Sequence, residues 1–125
     1  MRHNIIKHIL TILCFLCFAA ISDVNANEAD VIEAKAHKTG NTYRFSVTVK
    51  HADTGWDHYA DKWDVVDPDG NVLATRTLHH PHVNEQPFTR HLSGVKIPEN
   101  ITTVIIKAHD SEHGYGGKVM QISLP

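Results

Sequence analysis

The chain predicts an all-β fold: seven short strands in an antiparallel sandwich. Three observations carry this. Apolar and polar residues alternate with period two, turn-forming residues recur between the alternating stretches, and no stretch combines helical periodicity with capping residues. The clearest alternation is Asn41 to His51, where Tyr43, Phe45, Val47 and Val49 interleave with Arg44, Ser46, Thr48 and Lys50. Such a segment buries one face and wets the other.

The other strands follow in order. Asp30 to His37 is the first, ended by Thr39-Gly40-Asn41 before the strand already described. Asp61 to Asp67 is the third, with Trp63 and Val65 on one face, and the turn Asp67-Pro68-Asp69-Gly70-Asn71 ends it. There proline presets φ and glycine accepts a positive one. Val72 to Leu78 returns, and Phe88 to Gly94 is the fifth strand. Ile101 to His109 is the sixth, with Val104, Ile106 and Ala108 facing in, and Gly116 to Leu124 closes the domain. Seven strands in so short a span suggest an immunoglobulin-like or fibronectin-III-like sandwich, with Trp63 where such folds often bury a tryptophan. The usual disulfide is missing, so the likeness is one of architecture. A small antiparallel barrel is the alternative.

Residues 1–26 read as a cleaved secretory signal peptide. Arg2 and Lys7 precede the 13-residue apolar run Ile9 to Ile21, and Val24-Asn25-Ala26 offers small residues to a signal peptidase. The run is shorter than the roughly 20 residues of a spanning helix; an uncleaved anchor is the alternative. Both cysteines, Cys14 and Cys17, lie inside it, and Leu13 and Leu16 precede them, which argues against lipid attachment. The expected mature chain, 27–125, is then a single domain in the periplasm or outside the cell, without cysteine. It has neither a thiolate metal site nor a cysteine nucleophile. Ten Lys/Arg against thirteen Asp/Glu leave it a net charge of −3 with histidine neutral. Without a basic run, nucleic-acid binding is disfavoured, and no membrane association is expected after cleavage.

Histidine is the informative residue. Nine of the eleven fall in 27–125, and seven of those nine lie in three stretches: 51–60, 79–87 and 109–117. Connections alternate between the ends of an antiparallel sandwich. These stretches are the second, fourth and sixth connections, so all seven imidazoles map to one pole, where loops on a rigid scaffold carry function. His51 continues the inward parity of its strand, with Asp53, Asp57 and His58 following. His80-Pro81-His82 can present two imidazoles on a stiffened backbone, with Glu85 as an oxygen ligand. His109 and Asp110 end the sixth strand, and His113 and Tyr115 ride a glycine-rich loop. His51, His58, His80, His82, His109 and His113, with Asp53, Asp57, Glu85 and Asp110, are the candidate metal ligands. Imidazoles with a carboxylate suit Zn²⁺, Cu²⁺ or Ni²⁺. Each stretch also has a local reading, as an aspartate- or proline-built turn with its imidazoles bonded to backbone.

Other readings stay open. Trp56, Tyr59 and Tyr115 could hold a small molecule or a protein in a non-metal binding module. A metal-assisted hydrolase would need an open coordination position, and the chain has no nucleophile elbow, phosphate loop or HExxH motif. The loops could also simply close a sandwich that is monomeric or weakly dimeric. Clustered imidazoles resist protonating together, so acidification is expected to destabilise the fold or release metal.

The runs HADTGWDHYAD (51–61), HPHVNEQPF (80–88) and HDSEHGYGG (109–117) resemble a family of small, secreted, largely uncharacterised proteobacterial proteins. The resemblance spans nearly all of 27–125. It implies a periplasmic address and importance for the three loops, and brings no activity with it. In architecture alone the chain is similar to small periplasmic copper-binding sandwiches, but it lacks their methionine-rich element and a mature N-terminal histidine.

Overall fold

A computed structural model describes residues 27–125 as seven strands and no helix. The segment 1–26, with the expected signal peptide and both cysteines, lies outside the described residues. The strands are β1 (Asp30–Thr39), β2 (Thr42–Lys50), β3 (Ala60–Val66), β4 (Val72–Thr77), β5 (Phe88–Val95), β6 (Thr103–Asp110) and β7 (Met120–Ser123). They form two antiparallel sheets, β1-β2-β5 and β4-β3-β6-β7. The sandwich expectation is met, and the barrel is not. In the immunoglobulin constant arrangement the fourth strand joins the sheet of the first two. Here the tight Asp67–Asn71 turn keeps β4 beside β3: Asp67 Oδ1 accepts from the backbone N–H of Asp69 and Asn71 at 2.9 and 2.8 Å.

The core lies between the sheets. Phe45, Val47 and Val49 of β2 and Phe88 of β5 face Trp63 and Val65 of β3 and Val104, Ile106 and Ala108 of β6. Trp63, fully buried, pairs with Ala108 across the ladder. Without a disulfide, these side chains supply the main apolar burial between the layers, at roughly 1.5–3 kcal/mol for each large one.

Most strands end within a residue or two of the sequence reading, and two of the differences bear on the site. β6 runs one residue further, to Asp110, whose partner across the ladder is Ala60. β7 is shorter than the expected Gly116–Leu124, because residues before Met120 leave the ladder to hold the N-terminal segment. Lys118 accepts from the Val31 N–H at 2.8 Å and donates to Asp30 Oδ1 at 2.7 Å. Gly117 is required there, since a Cβ on it would sit 1.9 Å from the Ala29 carbonyl oxygen. That passage carries Asn27 across the histidine-bearing end of the sandwich.

Candidate metal centre

The second, fourth and sixth connections meet at one pole. Ser111 N–H donates to the Tyr59 carbonyl at 2.9 Å, joining connections two and six. His82 N–H donates to Asp53 Oδ2 at 2.7 Å, joining two and four. Asp53 is the hub of this pole. Its buried carboxylate also accepts from Ala60 N–H at 3.0 Å and from His51 Nδ1 at 2.5 Å.

Strand parity then decides which side chains enter the centre. On β2 the inward row Phe45, Val47, Val49 continues to His51, which is buried. On β6 the inward row Val104, Ile106, Ala108 continues to Asp110, which is fully buried. His51, His58 and Asp110 each offer a ligand atom, and these atoms lie within 4.8 Å of one another. His51 Nε2 is 3.5 Å from Asp110 Oδ2, and His58 Nε2 is 3.6 Å from Asp110 Oδ1. His113 Nδ1 approaches Asp110 Oδ2 at 3.4 Å from the loop above. The His58 ring stands edge-on to both neighbours, with centroids 4.7 Å from His51 and 4.9 Å from His113.

The polar atoms here are unevenly satisfied. Asp110 Oδ1 accepts from the backbone N–H groups of Glu112 and His113, at 2.9 and 2.5 Å. Asp110 Oδ2 and His58 Nε2 are buried with no hydrogen-bond partner among the described residues. Burial pushes the Asp110 carboxyl up, but those two N–H groups and the nearby His51 and His113 imidazoles outweigh it and hold it below the usual range. His51 Nδ1 faces the Asp53 carboxylate, and its Nε2 lies 2.8 Å from the Asn27 carbonyl oxygen. Both nitrogens therefore face oxygen atoms, one a carboxylate and one a carbonyl. A metal at Nε2 would leave Asp53 to fix the tautomer from behind, as outer carboxylates do at metal-bound histidines. His58 Nδ1 has Glu112 Oε2 at 3.5 Å in the same relation.

The remaining candidates go elsewhere. His80 and His82 form their own pair, ring centroids 4.6 Å apart, with His82 stacked on Phe88 at 4.1 Å. Glu85 is taken by a two-pronged Arg90 contact at 2.9 and 3.1 Å. His109 points to the outer face of its sheet, where Nδ1 meets Asp61 Oδ1 at 2.6 Å and the ring abuts Tyr115. The Tyr115 hydroxyl donates to buried Asp64. Asp57 is exposed, and Trp56, 67% exposed, stands edge-on to Tyr59 at the rim.

Two participants, Asn27 and Gln86, escape the sequence reading, and a third, Asp53, enters it as a candidate metal ligand and not as a hub. The Asn27 carbonyl depends on a long-range path that no local pattern encodes. Asp53 reads locally as a turn-former, although its carboxylate spans two loops. Gln86, which accepts from His51 N–H and donates to the His82 carbonyl, carries no signal of its own. Beside His51, a cleft of about 470 Å³ lined also by Glu28, Asp30, Lys50 and Gln86 opens to solvent.

His82 gives a pH prediction. Burial pushes its imidazole down, Arg90 and His80 add to that, and Asp53 and Glu85 oppose it. A folded value below the unfolded one near 6.5 means the unfolded chain takes the proton first. The stability is therefore present above that value and lost as pH falls through the folded one. Urea midpoints measured from about pH 7.5 to about pH 5.5 should fall, and fall less in His82→Gln. An equal fall in both proteins would remove His82 as the cause.

No family model matches the chain. No solved structure matches it either. A curated relative from Halomicrobium mukohataei, named "Putative lipoprotein", is 39% identical over 102 residues. The match covers 81% of this chain and 50% of the relative, so the chain spans about half the length of the curated relative it matches.

Proposed function

We propose that this is a cell-envelope protein that binds a divalent transition metal, Zn²⁺, Cu²⁺ or Ni²⁺, through His51, His58 and Asp110. One observation carries the reading. Asp110 Oδ2 and His58 Nε2 are buried in the same cluster without partners among the described residues. Each orphaned buried polar group costs about 1–3 kcal/mol, more when charged, and a shared cation would relieve both. The Asp53 carboxylate behind His51 supports it, because that is the outer contact a ligating imidazole needs. Glu28 and Asp30 in the adjoining cleft add negative potential along an approach to His51.

The envelope address rests on the signal-like segment 1–26, on the resemblance to small secreted proteobacterial proteins, and on the lipoprotein name of the relative. Periplasmic handling of the metal is the role that fits. Exposed Trp56 against Tyr59 favours a second use of the pole, as a flat face for a small molecule or a protein.

Calorimetric titration of the purified protein with each ion tests the reading. One ion per chain is expected, bound tighter than about 10 μM, with a loss of at least about tenfold in His58→Ala. The His80→Ala/His82→Ala double variant should keep this binding. Weaker binding by every ion, or unchanged affinity in His58→Ala, would overturn the proposal.

A further inference from the structure

We propose that His113 is a fourth, loop-borne ligand and that the centre is closed and tetrahedral, the geometry of Zn²⁺ rather than that of square-planar Cu²⁺ or six-coordinate Ni²⁺. This deepens the metal reading above and rests on it.

The spacing of the donor atoms carries the argument. Bonds of 2.0–2.1 Å to a tetrahedral ion set neighbouring ligand atoms about 3.3–3.4 Å apart, whereas right-angled geometries set them about 2.8–3.0 Å apart. His113 Nδ1 and His51 Nε2 approach Asp110 Oδ2 at 3.4 and 3.5 Å, and His58 Nε2 lies 3.6 Å from the other oxygen, Oδ1. The two distances to Oδ2, the oxygen without a hydrogen-bond partner among the described residues, lie near the tetrahedral edge and well beyond the right-angled one. The donor set is three imidazoles and one carboxylate, which fills four positions and leaves none for a bound water. Affinity alone would favour Cu²⁺ at nitrogen sites, so a preference for Zn²⁺ has to come from geometry that the protein imposes.

His113 is suited to closing the set. It lies outside the tight trio of ligand atoms, its side chain 37% exposed on the solvent side of Asp110. Its backbone N–H is tied at 2.5 Å to the Oδ1 of that same carboxylate, which fixes the backbone from which the ring reaches the centre. Gly114, at φ +73°, turns the chain back at once, and its N–H returns to the Asp110 carbonyl at 3.0 Å. The anchor fixes where the ring hangs, while the exposed side leaves it free to swing. His51 and Asp110 are set by strands and His58 by a mostly buried loop position. His113 is therefore the ligand through which the ion enters and leaves.

Cobalt(II) loaded into the full-length protein reads this out. Tetrahedral Co²⁺ gives intense visible bands, and six-coordinate Co²⁺ gives weak ones. The wild type should show the intense bands. His113→Ala should replace them with weaker bands, lose at least about tenfold in Zn²⁺ affinity and release the ion faster to a chelator. Its metal-free melting point should stay near wild type, which separates coordination from folding. Weak bands in the wild type, or unchanged spectrum and affinity in His113→Ala, would overturn the tetrahedral proposal and leave three-ligand binding standing. Failure of the wild type to bind either ion would remove both.

Discussion

Asp53→Ala should destabilise the protein by about 3–5 kcal/mol, because three buried donors lose their shared acceptor at about 1–3 kcal/mol each. The carboxylate is buried and accepts from Ala60 N–H, His82 N–H and His51 Nδ1. Alanine leaves two backbone donors and an imidazole without acceptors in a site that water does not reach freely, and each orphan costs about 1–3 kcal/mol. It also loosens the fourth connection from the second, because the His82 N–H to Asp53 Oδ2 bond is lost and His51 N–H to Gln86 Oε1 still joins them. Against a total stability of about 5–15 kcal/mol typical of small domains, such a loss threatens the fold. Asp53→Asn should recover part of it, since its one carbonyl oxygen in the place of Oδ1 still accepts from Ala60 N–H and His51 Nδ1. Urea unfolding of the three proteins measures this. A loss below about 1 kcal/mol in Asp53→Ala would mean that water or a shifted loop satisfies those donors, and the hub would lose its role.

The sequence carried the strands and the pole almost completely, because period two and turn chemistry are local. That alternation, with loop counting, sends three histidine-bearing connections to one end without any knowledge of contacts. It also held a distinction between neighbours. If Val104, Ile106 and Ala108 face in, Asp110 must as well, and His109 must face out. Parity read through to the end of β6 therefore selects the carboxylate for the centre and excludes the imidazole before it. Loops obey no such rule, and there the reading blurred. His80 and His82 sit on the right pole yet pair with each other and Phe88, and Glu85 is drawn off by Arg90. Asp53 and Asn27 matter through bonds spanning 29 and 24 positions, which no spacing pattern announces.

Zn²⁺ in excess should raise the unfolding free energy by about 2.7 kcal/mol at a hundred times its dissociation constant and about 4.1 kcal/mol at a thousand times, because only the folded chain assembles the donors. Asp110→Asn should abolish most of this increment. The asparagine carbonyl can still accept from Glu112 and His113 N–H, so the loop keeps its shape. What it loses is the negative oxygen that faces His51 Nε2 and His113 Nδ1, the one charge in the centre that offsets the ion. His109→Ala should keep the full increment, since its ring bonds Asp61 on the outer face. The increment should also shrink with acid. Metal ligands bind in their deprotonated form, so protons compete with the ion for the donors, while burial, which pushes the Asp110 carboxyl up, is outweighed by its N–H donors and the nearby imidazoles, which hold it low. Denaturation curves with and without Zn²⁺ decide it: equal increments in the wild type and Asp110→Asn would take the carboxylate out of the centre, and a lost increment in His109→Ala would mean that β6 parity does not govern which side chains bind.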